Sequence, residues 1–306
     1  MERSIMSESD LINRSSAMEV IKKHDFTMRK KYGQNFLTDA RVLDKILDAS
    51  GTDDSDTVIE IGPGIGTMTQ ALARIAKKVI AIEIDDKLIP ILGETLAPYD
   101  NIKLVHADVM KLDLNKLVEE ENDGQPVRVV ANLPYYITTP VLMKFLEDRV
   151  PMKSMTVMVQ QEVADRMAAA PGSDQYGALS LAVQYYSKPY LAAHVPPNCF
   201  IPRPKVGSAV VPLECYEEPP VSVKDEKLMF ALIRASFNQR RKTMVNAVAN
   251  YPELAYTKED VAAALAEMAL SPTVRGEALS LIEFARLSDI LGRKQAPDLR
   301  KDIDNE

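Results

Sequence analysis

Six consecutive residues, Ala131, Asn132, Leu133, Pro134, Tyr135 and Tyr136, gather groups that could hold a flat base bearing an amine. They follow a short apolar run at 127–130, limited upstream by Gly124 and Pro126, which reads as a strand. Pro134 has no N–H to give to a sheet ladder, so the strand must stop and open into a loop. An amide side chain, two backbone carbonyls and a phenol ring are thereby placed at a strand's C-terminal edge, where ligands sit in open α/β sheets. The Asn132 oxygen and a carbonyl of Leu133 or Pro134 can accept hydrogen bonds from an exocyclic amine, and the Tyr135 ring can stack on the base. Taken alone, the same residues also make an ordinary strand-to-helix turn.

A second group suits a nucleotide-like cofactor. Gly62, Gly64 and Gly66 come directly after the apolar run Thr57–Ile61 and open a helical pattern. A glycine loop at a helix N-terminus presents backbone N–H groups and permits close approach of a ligand. Glu83 lies 21 residues beyond Gly62, at the end of the next apolar run, where its carboxylate can accept ribose hydroxyls. That much suits a dinucleotide as well as an adenosyl-methionine. The dinucleotide fingerprint wants its third glycine at position 67, and Thr67 stands there, the glycine coming one place early. Asp108, just past the third strand, can accept from an adenine amino group, although it also suits a helix N-cap. Polar contacts on successive strand ends fit a single nucleoside across the sheet edge, so S-adenosylmethionine is expected rather than NAD.

The elements that must position these residues alternate. Strands are expected at 57–61, 79–84, 102–105, 127–131 and 156–160, with helices at 67–76 and 87–96. This rhythm predicts an α/β fold with a doubly wound parallel sheet. A helix at 176–186 and strands at 190–194 and 208–213 complete it. Glu217-Glu218-Pro219-Pro220 breaks the pattern and sets a domain boundary. Beyond it, helices are expected at 228–237, 243–249, 261–270 and 279–291. Residues 1–21 are thus read as an N-terminal extension, flexible or a short helix, and 22–216 as the cofactor domain. A small all-helical domain spans 221–292, and a charged tail 293–306.

The chain has 306 residues, 46% hydrophobic and 26% charged, which fits a soluble globular protein with a sizeable core. A net charge of −7 argues against a wholly nucleic-acid-binding surface but leaves room for local basic faces. Two such faces stand out. Lys22, Lys23, Arg29, Lys30 and Lys31 precede the stretch at 32–37, and Arg240, Arg241 and Lys242 follow Arg234 by one to two helical turns. Both are expected to grip nucleic-acid phosphates, against the plainer reading of solvated helix faces. No run approaches the 18 apolar residues of a membrane span, and no secretory signal is evident. Two cysteines and three histidines show no metal-ligand spacing, so no metal is expected and the cytoplasm is the default compartment.

With these residues in order, the chain resembles the class I methyltransferases that modify adenine on its amino group. The match is closer still. Tyr32-Gly-Gln-Asn-Phe-Leu37, Ile59-Glu-Ile-Gly-Pro-Gly-Ile-Gly66, Asn132-Leu-Pro-Tyr135 and Phe200-Ile-Pro-Arg-Pro-Lys-Val206 are similar to the rRNA adenine dimethyltransferase family. Phe237-Asn-Gln-Arg-Arg-Lys-Thr243 resembles its bacterial small-subunit branch, the kasugamycin-resistance dimethyltransferases. The resemblance covers about residues 22–292; the segment before Lys22 has no counterpart in it.

The resemblance implies a Rossmann-like doubly wound sheet with a final antiparallel strand, S-adenosylmethionine as methyl donor and a helical C-terminal domain. It implies transfer of two methyl groups to each of two adjacent adenosines in the 3′-terminal hairpin of 16S rRNA, in an immature small ribosomal subunit. Its cofactor contacts fall on Asn35, Leu37, Gly62, Glu83, Asp108 and Asn132. On this reading Asn132 with the Leu133 or Pro134 carbonyl binds the two amine N–H groups, Tyr135 stacks on the base, and Phe200 closes the other face. Three other readings compete: a large-subunit rRNA methyltransferase, a DNA adenine methyltransferase, and an assembly factor that acts mainly by binding the small subunit. The length of the helical domain and residues 237–243 argue against the first. Nothing resembles a DNA target-recognition domain. A monomer is the default.

Overall fold

The structure is a computed structural model that describes residues 11–29 and 32–295. It divides into two compact units. One comprises the residues up to Asp165 with Ser187–Cys215, the other Arg166–Tyr186 with the residues from Tyr216 on.

The first unit begins with α1 (Arg14–Lys23), capped by Asn13, whose side chain accepts the Ser16 N–H at 2.7 Å. Its Ala17 and Ile21, one turn apart, are buried in a cluster with Phe26, Phe36, Ile65 and Leu92. The described part of the expected extension is therefore a packed helix. The helix was one of the two readings of this segment; its packing rests on two small-to-medium apolar residues among polar neighbours.

A glycine in the left-handed region, Gly51 at φ 59°, ends α2 (Ala40–Ser50), which Asp39 caps at its start. The β2 strand (Thr57–Ile61) is buried along its whole length, and β3 (Lys78–Glu83) nearly so. Such continuous apolar runs belong to strands covered on both faces. Between them lies α3 (Thr67–Ala73), and α4 (Leu88–Thr95) leads on to β4 (Ile102–His106). The remaining parallel strands are β5 (Val127–Asn132) and β6 (Met152–Gln160). Helices α5 (Leu114–Asn122) and α6 (Thr138–Glu147) supply crossovers that the sequence reading did not assign.

The strand order is β4-β3-β2-β5-β6-β10, with β2 to β6 parallel and β10 (Ser208–Cys215) antiparallel to β6. Chain order reverses between β2 and β5, so the crevice at their C-terminal ends is the switch point where doubly wound sheets bind ligands. The expected strand at 190–194 is instead two short ones, β7 (Ser187–Pro189) and β8 (Ala193–Val195), both paired to β10. The link between them exposes Tyr190 and Leu191. A separate two-stranded ribbon joins β1 (Phe36–Leu37) to β9 (Phe200–Ile201), in register Leu37 to Phe200.

The second unit is helical. It takes in α8 (Ala178–Tyr186), which the sequence reading had placed in the cofactor domain, α7 (Gln161–Met167) carrying the chain across the division. The reason lies in the side chains. Tyr186 stacks on Phe230 of α9 (Glu226–Asn238) with ring centroids 5.7 Å apart, and Tyr185 meets the same ring edge-on. Both phenols donate to Glu226. Three further helices, α10 (Met244–Ala249), α11 (Lys258–Glu267) and α12 (Leu281–Gln295), complete the unit, with a full capping box of Thr257 and Asp260 opening α11.

Candidate active site

A cleft of about 290 Å³ opens at the C-terminal ends of the central strands. Asn35, Gly62, Gly64, Glu83, Asp108, Asn132, Leu133 and Pro134 all line it, drawn together from five separated stretches of chain.

The glycine loop forms one wall. Gly62 and Gly64 have φ of 70° and 61°, a region that L side chains enter only with strain. A Cβ added at Gly64 would come within 2.9 Å of the Phe36 ring, so a side chain there would displace that ring. Gly66, at φ 96°, is not in the cleft; it starts α3, packed against Leu92, Thr95 and Leu96. The third glycine therefore belongs to the turn rather than to the ligand surface.

Glu83 ends β3 and is buried. Its Oε1 accepts the backbone N–H groups of Ile84 and Asp85 at 2.9 and 2.7 Å. Burial outweighs these bonds and pushes its carboxyl up to about 7. One strand away, the Glu60 side chain is 0% exposed, with no hydrogen bond of standard geometry, and burial lifts it to about 8. Sequence reading overlooked this residue inside its own glycine motif. Asp108 caps a short 3₁₀ turn by accepting the Met110 N–H at 3.0 Å, and lines the cleft as well. The cap reading is the one that the hydrogen bond shows.

Asn132 donates its amide N–H to the Asn35 carbonyl at 3.0 Å. That bond assigns the amide: nitrogen toward Asn35, oxygen left for the cleft. The Pro134 carbonyl is already engaged by the Ile137 N–H at 3.1 Å and the Thr138 hydroxyl at 3.2 Å. Of the two carbonyls considered as amine acceptors, Leu133 is the one left available.

The aromatic residues differ from expectation. Phe200 is 1% exposed, in the core cluster that contains Leu37, Leu43 and Val210, and does not reach the cleft. Pairing of β9 with β1 turns it inward, a non-local constraint that the flanking prolines did not reveal. Leu37, 6% exposed, shares that core instead of lining the cleft. The Tyr135 hydroxyl lies 3.0 Å from the Ser208 hydroxyl, and Tyr135 is not among the residues lining the cleft. Tyr136, 54% exposed, lines the cleft itself.

The cations also separate. Lys23 and His24 both pair with Glu94, and Arg29 is held by Asp85 and Asp86 at 2.9 and 2.8 Å. Arg240 pairs with Glu277 at 2.8 Å. Lys22, Arg234, Arg241 and Lys242 are exposed. Lys30 and Lys31 lie outside the described residues. Among the described residues no group of histidine, cysteine or carboxylate side chains has the arrangement of a metal site. No described helix is long and apolar enough to cross a membrane.

A strand–glycine-loop–helix wall, a buried acid after the next strand and an Asn-Leu-Pro-Tyr turn at the switch point define a Rossmann-like S-adenosylmethionine-dependent methyltransferase. The chain belongs to the ribosomal RNA adenine dimethylase family, whose model matches residues 25–285. A Ribosomal RNA small subunit methyltransferase A from Lachnoclostridium phytofermentans is 55% identical over 278 residues, 90% of this chain and 96% of that protein. One of the same name from Shouchella clausii is 50% identical over 283 residues, covering 92% and 96% respectively. Among solved structures, a dimethyladenosine transferase from Plasmodium falciparum superposes with a TM-score of 0.68 at 27% identity, over 82% of this chain and 95% of that one. The 23S rRNA methyltransferase ErmE, at 24% identity and TM-score 0.62, covering 84% of this chain and 99% of its own, shares the fold.

Proposed function

We propose that this protein transfers methyl groups to the N6 amino groups of two adjacent adenosines in the 3′-terminal hairpin of 16S rRNA, two to each, during assembly of the small subunit in the cytoplasm. The observation that carries the reading is the orientation of Asn132, whose amide nitrogen is taken by the Asn35 carbonyl while the residue lines the cleft together with Leu133.

An adenine amino lone pair is delocalised into its ring and is a poor nucleophile. Two acceptors, the Asn132 oxygen and the Leu133 carbonyl, would bind its two N–H groups and favour a pyramidal nitrogen. The contribution is positioning and electrostatics rather than a strong base. Gly62 and Gly64 would hold the cofactor's backbone-facing side, Glu83 its ribose hydroxyls and Asp108 its adenine amine. When bound, S-adenosylmethionine supplies an electrophilic methyl group on sulfur. Tyr135 or the more exposed Tyr136 would stack on the target base, worth about 1–3 kcal/mol. That offsets much of the few kcal/mol needed to take a base out of its stack. Lys22, Arg234, Arg241 and Lys242 are the cations we assign to rRNA phosphates, with the protein acting as a monomer.

The test is transfer of labelled methyl groups to unmethylated small subunits, unmethylated large subunits and duplex DNA, with products mapped by mass spectrometry. Dimethyladenosine at two adjacent positions near the 16S 3′ end is the expected result. Label in large-subunit RNA or DNA would replace the substrate. Tight subunit binding with no transfer would favour the assembly-factor reading.

A further inference from the structure

An asparagine amide has two orientations, and only one offers its oxygen to an amine. In this fold the choice is made by the Asn35 carbonyl, which takes the Asn132 N–H at 3.0 Å. Asn35 lies outside the main sheet, just before β1, so something else must hold it.

Arg29 is joined to Gln34 and Tyr32 by hydrogen bonds. The Arg29 N–H donates to the Gln34 side-chain oxygen at 2.8 Å, and the Tyr32 N–H to the Arg29 carbonyl at 3.0 Å. Arg29 and Gln34 are both fastened to one carboxylate. Gln34 Nε2 donates to Asp85 Oδ2 at 2.7 Å, and Arg29 Nη1 to Asp85 Oδ1 at 2.9 Å. The Asp85 side chain is 0% exposed, so the fold carries a buried carboxylate to make this attachment. Burying an ion is costly unless its oxygens are satisfied, and here both are. The backbone N–H of Asp85 also donates to Glu83 Oε1 at 2.7 Å. One residue thus ties the turn that precedes Asn35 to the acid that faces the cleft.

We propose that Asp85, acting through Gln34 and the Asn35 carbonyl, is a positioning residue for amine transfer: it sets which way the Asn132 amide faces. This rests on Asn132 as an amine acceptor. Gln34, itself on the cleft wall, and Asp85 behind it act as one unit that orients a working side chain. Arg29 then serves the site from behind, in an ion pair, and is withdrawn from contact with RNA.

The experiment compares the wild-type chain with Gln34→Ala, Asp85→Ala and the double variant. It measures kcat and KM on unmethylated small subunits, the S-adenosylmethionine Kd by calorimetry, and thermal denaturation. Gln34 is only part-buried, so its variant keeps the test open even where Asp85→Ala folds poorly. For Gln34→Ala, kcat should fall roughly ten- to a hundredfold, the scale on which misplaced reacting groups cost rate. The cofactor Kd should change far less than kcat, and the melting temperature should fall by only a few degrees, since Asp85 Oδ2 loses one donor while Oδ1 keeps Arg29. The double variant should be no slower than the slower single one, because both break one connection. Unchanged kcat, losses that multiply, or parallel losses of rate, cofactor affinity and melting temperature would each overturn the proposal. A wild-type chain that transfers no methyl group would overturn the functional reading and this inference with it. Variants matching an active wild type overturn this inference alone.

Discussion

Asn132 and Glu83 carry the most specific expectations at the scale of single residues. Replacing Asn132 by alanine removes one amine acceptor and leaves the glycine loop and Glu83 in place. Transfer should fall by about 10²–10³, as when one oriented polar group is lost from an active site. Cofactor affinity should change little, and equal losses of both, measured by kinetics and calorimetry, would reject the role. Glu83 sets a pH dependence whose sign is fixed by its environment. Burial raises its carboxyl to about 7, while ribose hydroxyls would donate best to the ionised form. Cofactor binding should therefore release a proton and tighten as pH rises toward about 7, then level. Glu83→Gln should bind more weakly and show a flat profile in calorimetry across that range. Asn132, Glu83 and Asp108 were legible in the sequence because each ends or follows an apolar run that announces a strand. Phe200 was not, because its burial depends on pairing with Leu37, far away in the chain.

Within the strand–loop–helix element, the sensitive point is Gly64. Alanine there would need a left-handed backbone, costing roughly 1–2 kcal/mol. Its methyl group would also stand 2.9 Å from the Phe36 ring. Gly64→Ala should weaken S-adenosylmethionine binding far more than Gly62→Ala, where an added Cβ meets nothing within 4 Å. Calorimetric titration of both variants checks the contrast; equal effects would mean that backbone strain alone matters. The turn at the end of β5 is organised by its own hydrogen bonds, which consume the Pro134 carbonyl. Proline told where the strand must stop, but which carbonyl stays available follows from the first turn of α6 folding back on Pro134.

For the molecule as a whole, two buried acids and two sets of cations matter. Glu60 and Glu83 have carboxyls raised to about 8 and about 7, so the folded state holds protons that the unfolded chain releases near 4.5. Their contribution to stability is full below about 4.5 and is lost as pH rises through about 7 and 8. The melting temperature of the unligated protein should fall over that interval, and Glu60→Gln should flatten the fall. A rise instead would contradict the burial of these groups as neutral acids. Among the cations, Arg241 and Lys242 are exposed, whereas Arg240 is tied to Glu277. Neutralising Arg241 and Lys242 together should weaken rRNA binding and lower its logarithmic salt slope by up to roughly 2, about 0.9 per phosphate contact. Arg240→Ala should act mainly on thermal stability. Filter binding at several salt concentrations separates the two effects.

The five parallel strands, the glycine loop, the acid that follows it and the Asn-Leu-Pro-Tyr turn were determined by the sequence alone. Each is a local pattern, written in a few neighbouring residues whose backbone preferences act over one turn or one strand. What the tertiary structure decided are the properties that need a distant partner. Arg29 meets Asp85 across 56 residues, in an ion pair that the basic run around it does not announce. The Asn132 amide takes its orientation from Asn35 across 97 residues. Helix α8 goes to the helical unit because Phe230 and Glu226 receive its two tyrosines. Charge, amide orientation and burial depend on what a side chain meets in space, and a linear pattern does not contain that information.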